Sequence, residues 1–183
     1  MSTPLPNSLQ ETPTQLAESI VAVNLTSSIL LARTVLARWH QQPDDTRDKA
    51  IIFVSSMAGL TPAPYCSVYG ATKAALVSLA ASLALETPSH VQVQACCPGM
   101  VQAGNTQRWF GTARCQALDV VTPALAATNI LQALGCDEWR TTTSVIHAGY
   151  MFLMGVLPAG LAGRLVRREH QQARLRLGMT ELQ

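Results

Sequence analysis

The chain has 183 residues, 48% of them hydrophobic and 13% charged, with a formal net charge of +2. That length supports one domain with a core, and the apolar balance excludes a disordered chain. The small net charge gives no global field that would draw nucleic acid.

Five cysteines, Cys66, Cys96, Cys97, Cys115 and Cys136, are odd in number and form no C-x-x-C pair. They argue against a disulfide scaffold or a zinc site, and for packed thiols in a reducing compartment. Residues 1–14 are polar and proline-rich and read as an irregular lead-in without a secretory signal. From Gln15 to Trp39 apolar residues recur at helical spacing, and Asn24 is set into the stripe Leu16, Ile20, Asn24, Leu31. A buried asparagine needs hydrogen-bond partners. Gln41 to Lys49 is polar, contains Pro43, and turns the chain.

Ala50 to Val54 (AIIFV) is a short continuous apolar run, the mark of a buried parallel strand. Two prolines break the chain between Thr61 and Pro64, and Val68 to Leu85 is rich in alanine and leucine and helical. Val91 to Cys97 is a second strand, ended by Pro98-Gly99. Ala103 to Val121 has no clean period and reads as a long loop with short helices. Thr122 to Leu134 is helical, with Thr122 as N-cap, Pro123 at the first helical position and Gly135 just past the end. Thr141 to Ile146 reads as a short last strand. The order helix, strand, helix, strand, helix, strand predicts an α/β fold with a parallel sheet flanked by helices.

Residues 1–144 form this α/β domain, and residues 145–183 follow as an apolar and basic helical extension. Between Val145 and Gly163 the only basic or acidic side chain is His147, and Gly155, Ala159 and Gly163 keep small-xxx-small spacing. Arg164, Arg167 and Arg168 come next. Three readings stand open: a helix lying on a membrane surface, a core or substrate-channel helix, and a bilayer span. His147, alone in an apolar run, reads as a packed residue rather than a catalyst.

Three reactive side chains sit at a telling spacing. Ser56 lies just past the AIIFV strand, and Tyr69 and Lys73 are four apart at the start of the next helix, so they share a face. Functional groups collect at the carboxyl edge of a parallel sheet, where Ser56 falls. The trio suits reduction of a carbonyl. The developing alkoxide needs a proton donor, and a free tyrosine, with a pKa of about 10, is a poor one. An ammonium one turn on favours the phenolate and lowers that value. Ser56 can hold the substrate oxygen as charge develops.

The stretch IIFVSSMAGLTPAPYCSVYGATKAALVSLAASLALE resembles the central block of the short-chain dehydrogenases/reductases. The family's Tyr-x-x-x-Lys appears as Tyr69-Gly-Ala-Thr-Lys73, and its serine, thirteen residues earlier, falls on Ser56. The family's V-N-x-x appears as Val23-Asn24-Leu25-Thr26, and its P-G turn as Pro98-Gly99 after VQVQACC. The resemblance implies Tyr69 as acid, Ser56 as carbonyl anchor, Lys73 as ribose binder, and Asn24 as holder of a proton-relaying water. It implies cofactor contacts from Tyr69, Lys73, Pro98, Gly99 and Val101. Where the family usually places a threonine this chain has Ala103, with Thr106 as a substitute.

The C-terminal third is similar to very-long-chain 3-oxoacyl-CoA reductases and their 17β-hydroxysteroid dehydrogenase relatives: Thr122-Pro123 opening a helix, then LQALG, Val145-Ile146-His147-Ala148 and Leu157-Pro158. That likeness implies an NADPH-dependent reductase of fatty-acid elongation, acting on a lipid-like ketone or acyl-CoA at the endoplasmic reticulum membrane or its cytosolic face. The cytoplasm is the alternative. It also implies assembly with further copies of the chain.

The 183 residues contain neither G-x-x-x-G-x-G nor G-x-G-x-x-G. The resemblance therefore covers nearly all of this chain but the later part of the family's fold: the C-terminal half of a doubly wound Rossmann-type sheet, lacking the first βαβ units. An unpaired, apolar inner sheet edge is expected, with few contacts for adenine and pyrophosphate. A truncated, inactive fragment or an interaction protein without cofactor is the competing expectation. A serine hydrolase is excluded because Ser56 stands in V-S-S-M-A rather than G-x-S-x-G. Four scattered histidines, none in H-E-x-x-H, give no metal motif.

Overall fold

The computed structural model describes residues 6–42, 47–111, 119–135 and 140–179. Cys115 and Cys136 lie outside the described residues, as does part of the irregular stretch expected between Ala103 and Val121.

Helices α1 (Thr14–Val21) and α2 (Ser27–His40) join through one turn of π-helix, Ala22–Thr26. A π turn holds an extra residue, so the face beyond it rotates. Ile20 is buried before the turn, Leu25 within it packs against the core, and Ala32, Leu36 and Trp39 reach the core after it. Leu31, which the regular stripe would bury, is 67% exposed. The inserted residue has moved the buried position from 31 to 32.

Strands β1 (Lys49–Val54), β2 (Val91–Cys96) and β3 (Arg140–Thr141) form one parallel sheet in that order. Lys49 pairs with Val91 and Val54 with Cys96 at the two ends of the first ladder. A parallel pair needs a crossover, and helix α3 (Ser67–Glu86) supplies it. Its Leu76, Val77 and Ala80 pack on Phe53, Val93 and Ala95 of the sheet and on Ala32. Burying Leu76 alone contributes about 2 kcal/mol. In central β2 every residue except Gln92 is buried, whereas β1 buries only Phe53. The AIIFV run therefore builds an edge strand, and the fully buried strand is the next one.

Between β2 and β3 come α4 (Gly104–Phe110) and α5 (Pro123–Gln132). The expected cap forms, with the Thr122 hydroxyl accepting the Leu125 N–H at 3.2 Å. Gly135 takes φ +91° and donates its N–H to the Gln92 side chain at 2.7 Å, which ties the end of α5 to β2. The last strand differs from expectation. It stops at Thr141, and Ser144 caps helix α6 (Val145–Val156) by accepting the His147 N–H at 3.1 Å. Here a serine N-cap outweighs the β preference of Val145 and Ile146.

Leu157-Pro158 ends α6, and α7 (Ala159–Arg176) turns away. The 12 residues of α6 are roughly 18 Å long, against roughly 30 Å of bilayer hydrocarbon. Residues 145–163 are thus two helices and not one span. Helix α7 is fastened near its end by buried Arg174. That guanidinium donates to both carboxylate oxygens of Glu11, at 2.8 and 3.0 Å, and to the Pro6 carbonyl at 2.7 Å. It also lies 4.8 Å from the Tyr65 ring, whose backbone takes the left-handed φ of +63°.

Candidate active site

The floor of the site is built at the end of β1. Pairing with the β2 chain continues past the strand: Ser55 N–H donates to the Cys96 carbonyl at 2.7 Å, and Met57 N–H to the Pro98 carbonyl at 2.9 Å. Ser56 stands between them, extended, and its Oγ accepts the Ala58 N–H at 3.2 Å to open a single 3-10 turn, Met57–Gly59. This turn lies on α3 with no room to spare. A Cβ on Gly59 would sit 2.6 Å from the Lys73 carbonyl carbon, and one on Gly70 would sit 2.9 Å from the Ala63 Cβ. The Ser55 hydroxyl donates to the Lys73 carbonyl at 2.7 Å. Two glycines and one serine therefore set the height of Ser56 over the first turns of α3.

The expected trio meets. Ser56 and Tyr69 line one cavity, close enough for the Ser56 hydroxyl to favour the phenolate. Lys73 Nζ is 5.6 Å from the Tyr69 ring centroid, within reach of its π face. The ammonium donates to the Val54 carbonyl at 2.8 Å. The electrostatics correct the sequence expectation, however. Burial pushes the Tyr69 phenol above its ordinary pKa, and the Ser56 hydroxyl offsets this only in part. Burial likewise lowers Lys73, against the neighbouring Cys97 thiol, which raises it. The phenol is held protonated rather than acidified, because desolvation outweighs the Ser56 hydroxyl.

Ser56, Tyr69, Lys73, Pro98, Gly99 and Val101 line one cavity of about 490 Å³. Its walls are largely apolar, with Met57 and Pro62 on one side, Trp109 and Phe110 of α4, and Ile146 and Val166 of α6 and α7. Tyr150, Glu169 and His170 also line it. Val101 bridges in parallel to Val121, and the Thr106 hydroxyl donates to the Val101 carbonyl at 2.6 Å. Thr106 and Ala103 both line the cavity, and this bond engages the Thr106 proton.

Asn24 is placed differently. Its side-chain amide donates to Thr72 Oγ1 at 3.3 Å, and that hydroxyl donates to the Tyr69 carbonyl at 2.7 Å. Asn24 lines a second hollow of about 380 Å³ along β1, which it shares with Lys73. The amide therefore approaches the trio from behind α3, within the π turn.

Sequence reasoning missed several supports. His147 is buried, with Nδ1 2.8 Å from the Thr143 hydroxyl and Nε2 2.7 Å from the Asp119 carbonyl. A carbonyl only accepts, so Nε2 carries a proton, and the Thr143 hydroxyl serves Nδ1. The ring is a packed residue pressed against Gly99, where a Cβ would collide with it and lie 2.7 Å from Met57 Sδ. Gly59 and Gly70 carried a signal in the close approach that glycine allows, whereas the wall from α4, α6 and α7 had none in local spacing.

A family model described as short chain dehydrogenase matches residues 5–113. The chain is 35% identical over 79 residues to the short-chain dehydrogenase/reductase SDRA of Arabidopsis thaliana, covering 43% of this chain and 29% of that one. It spans about a third of the length of the curated relatives it matches. A solved 7beta-hydroxysteroid dehydrogenase superposes with a TM-score of 0.76 at 21% identity, covering 87% of this chain and 62% of that one. A 4-hydroxyisoleucine dehydrogenase complexed with NADH gives 0.65 at 21% identity, covering 79% and 64%. These structures share the Rossmann-type fold, and the family match takes in the Ser56–Tyr69–Lys73 floor together with β1, α3 and β2. The chain belongs to the short-chain dehydrogenase family of oxidoreductases.

Proposed function

We propose that the protein reduces a ketone on a lipid-like substrate, such as a 3-oxoacyl-CoA or a steroid, with NADPH, at the cytosolic face of the endoplasmic reticulum membrane. The observation that carries this reading is the single cavity that joins Ser56, Tyr69 and Lys73 to Pro98, Gly99 and Val101 under largely apolar walls. Its volume is that of a small-molecule site, and its polar groups converge on one end.

The residues present fit the nicotinamide end of a dinucleotide. A phenol and an ammonium suit ribose hydroxyls, and the backbone of Pro98, Gly99 and Val101 suits a carboxamide. The adenine and pyrophosphate end needs a glycine-rich strand-to-helix turn, which these 183 residues do not supply. When bound, the reduced nicotinamide would supply the hydride that the carbonyl carbon accepts. Ser56 then holds the substrate oxygen as it gains charge. Tyr69 gives that oxygen the phenolic proton, which burial has kept in place until an alkoxide asks for it. Lys73 holds the ribose and stabilises the phenolate left behind. Asn24, behind Lys73, holds the water through which the proton is replaced.

The test is the loss of NADPH fluorescence with a 3-oxoacyl-CoA and with a ketosteroid. Tyr69→Phe keeps the ring and removes the proton, and the rate should fall by about 10²–10⁴-fold. Equal rates for the variant and the wild type would overturn the reading. A second reading, an interaction protein that folds this half and holds no cofactor, is favoured by the Lys73 bond to Val54 on the open side of β1. Tight NADPH binding by the chain in a titration would remove it.

A further inference from the structure

The outer surface of α6 and α7 combines exposed apolar side chains with exposed arginines. On α6, Val145, Phe152 and Val156 are 89%, 73% and 62% exposed, and Leu153 beside them is half exposed. Val145, Phe152 and Val156 fall at i, i+7 and i+11, one helical face. The helix carries no acidic side chain and no basic one except His147, which is buried. On α7, Leu161, Arg164, Leu165 and Arg168 are all exposed and also share a face at i, i+3, i+4 and i+7. The opposite faces are packed: Met154 of α6 against Ala162 and Val166 of α7. The two exposed faces lie on either side of the Leu157-Pro158 corner that joins the helices.

We infer that this corner is a docking face for an anionic lipid surface. Its chemistry is that of an interfacial helix pair: apolar side chains to enter the acyl boundary and guanidiniums at headgroup level. The charge is one-sided. Glu169, the one acidic residue of α7, lines the cavity, while Arg164, Arg167 and Arg168 are exposed. A protein partner with a small apolar patch would not need three arginines, and a second copy would meet its own arginines across a two-fold axis. The position adds a purpose. Ile146 and Tyr150 of α6 and Val166 of α7 wall the cavity, so the docked face lies one helix thickness from the site. An apolar ketone could pass from the bilayer to Ser56 without crossing water. That purpose rests on the proposed reaction, whereas the docking itself does not.

The experiment is sedimentation of the full chain with vesicles of phosphatidylcholine alone and of a two-to-one mixture with phosphatidylserine. Binding is expected to the mixture only, and to weaken as salt is raised. Replacing both arginines, Arg164→Gln with Arg168→Gln, should weaken it about thirtyfold, from about 1 kcal/mol per charge near the surface. Phe152→Ser with Val156→Ser should weaken it at unchanged charge, with far-UV circular dichroism showing that both pairs of variants stay folded. Tyr69→Phe should bind vesicles as the wild type does, so a failed reduction assay leaves the docking result readable. No binding to the mixture, indifference to both pairs of changes, or a stable dimer that Phe152→Ser dissociates would overturn the inference.

Discussion

Replacing Gly99 by alanine tests the contact that holds the turn after β2. The φ of Gly99 is not positive, so alanine suits the backbone and the effect is purely steric. The new Cβ would collide with the His147 ring and lie 2.7 Å from Met57 Sδ. The methionine end can swing away, but the imidazole is tied at both nitrogens, to Thr143 at 2.8 Å and to the Asp119 carbonyl at 2.7 Å. Moving it forfeits those bonds at about 1 kcal/mol each, so Gly99→Ala should cost about 2–3 kcal/mol. His147→Ala should cost about 3 kcal/mol by itself, through the cavity and the stranded Thr143 hydroxyl. In the double variant the new methyl occupies space the ring has left. Its cost should be about 3 kcal/mol instead of the additive 5–6, a coupling of about 2–3 kcal/mol. Urea unfolding of the four proteins, followed by far-UV circular dichroism, measures the cycle. Additivity within about 0.5 kcal/mol would refute the contact.

The Glu11–Arg174 pair gives a pH dependence. Arg174, followed by Ser8, holds the Glu11 carboxyl down at about 2, below its ordinary 4.5. A depressed carboxylate stabilises the fold above its unfolded value and ceases to as the pH falls through its folded one. The pair's contribution is therefore complete above 4.5 and lost on the way to about 2. Glu11→Gln should flatten the acid side of a plot of thermal midpoint against pH, and parallel curves would show that the pair is idle. Leu76, 2% exposed between α3 and the sheet, should cost about 3–4 kcal/mol when cut to alanine. A loss under about 1 kcal/mol in the same urea assay would mean that the helix does not pack there.

Much of this molecule is written locally. The edges of α3, β2 and α5 follow from continuous apolar runs, a Thr-Pro start and a glycine stop, and all three were legible to within a few residues. Ser56, Tyr69 and Lys73 were legible for the same reason: a strand end and an i, i+4 pair are short-range patterns. The π turn at Ala22–Thr26 left no such mark, so the stripe through Leu31 misled. Ser144 capped a helix where Val145 and Ile146 suggested a strand. The direction of the Tyr69 shift was out of reach too, because burial sets it, and spacing reveals the neighbouring Lys73 but not the burial. The cavity walls come from residues 109–110, 146–150 and 166–170, brought together by packing over long stretches of chain.

Ser56, Tyr69 and Lys73 stand in one contiguous βαβ unit, from Lys49 through Cys96, while the arms that enclose them arrive from later in the chain. Such an arrangement is modular. Helices α4, α6 and α7 can be exchanged, lengthened or repolarised without disturbing Ser56, Tyr69 or Lys73, so the walls of the cavity are free to diverge while the trio at its floor stays in place.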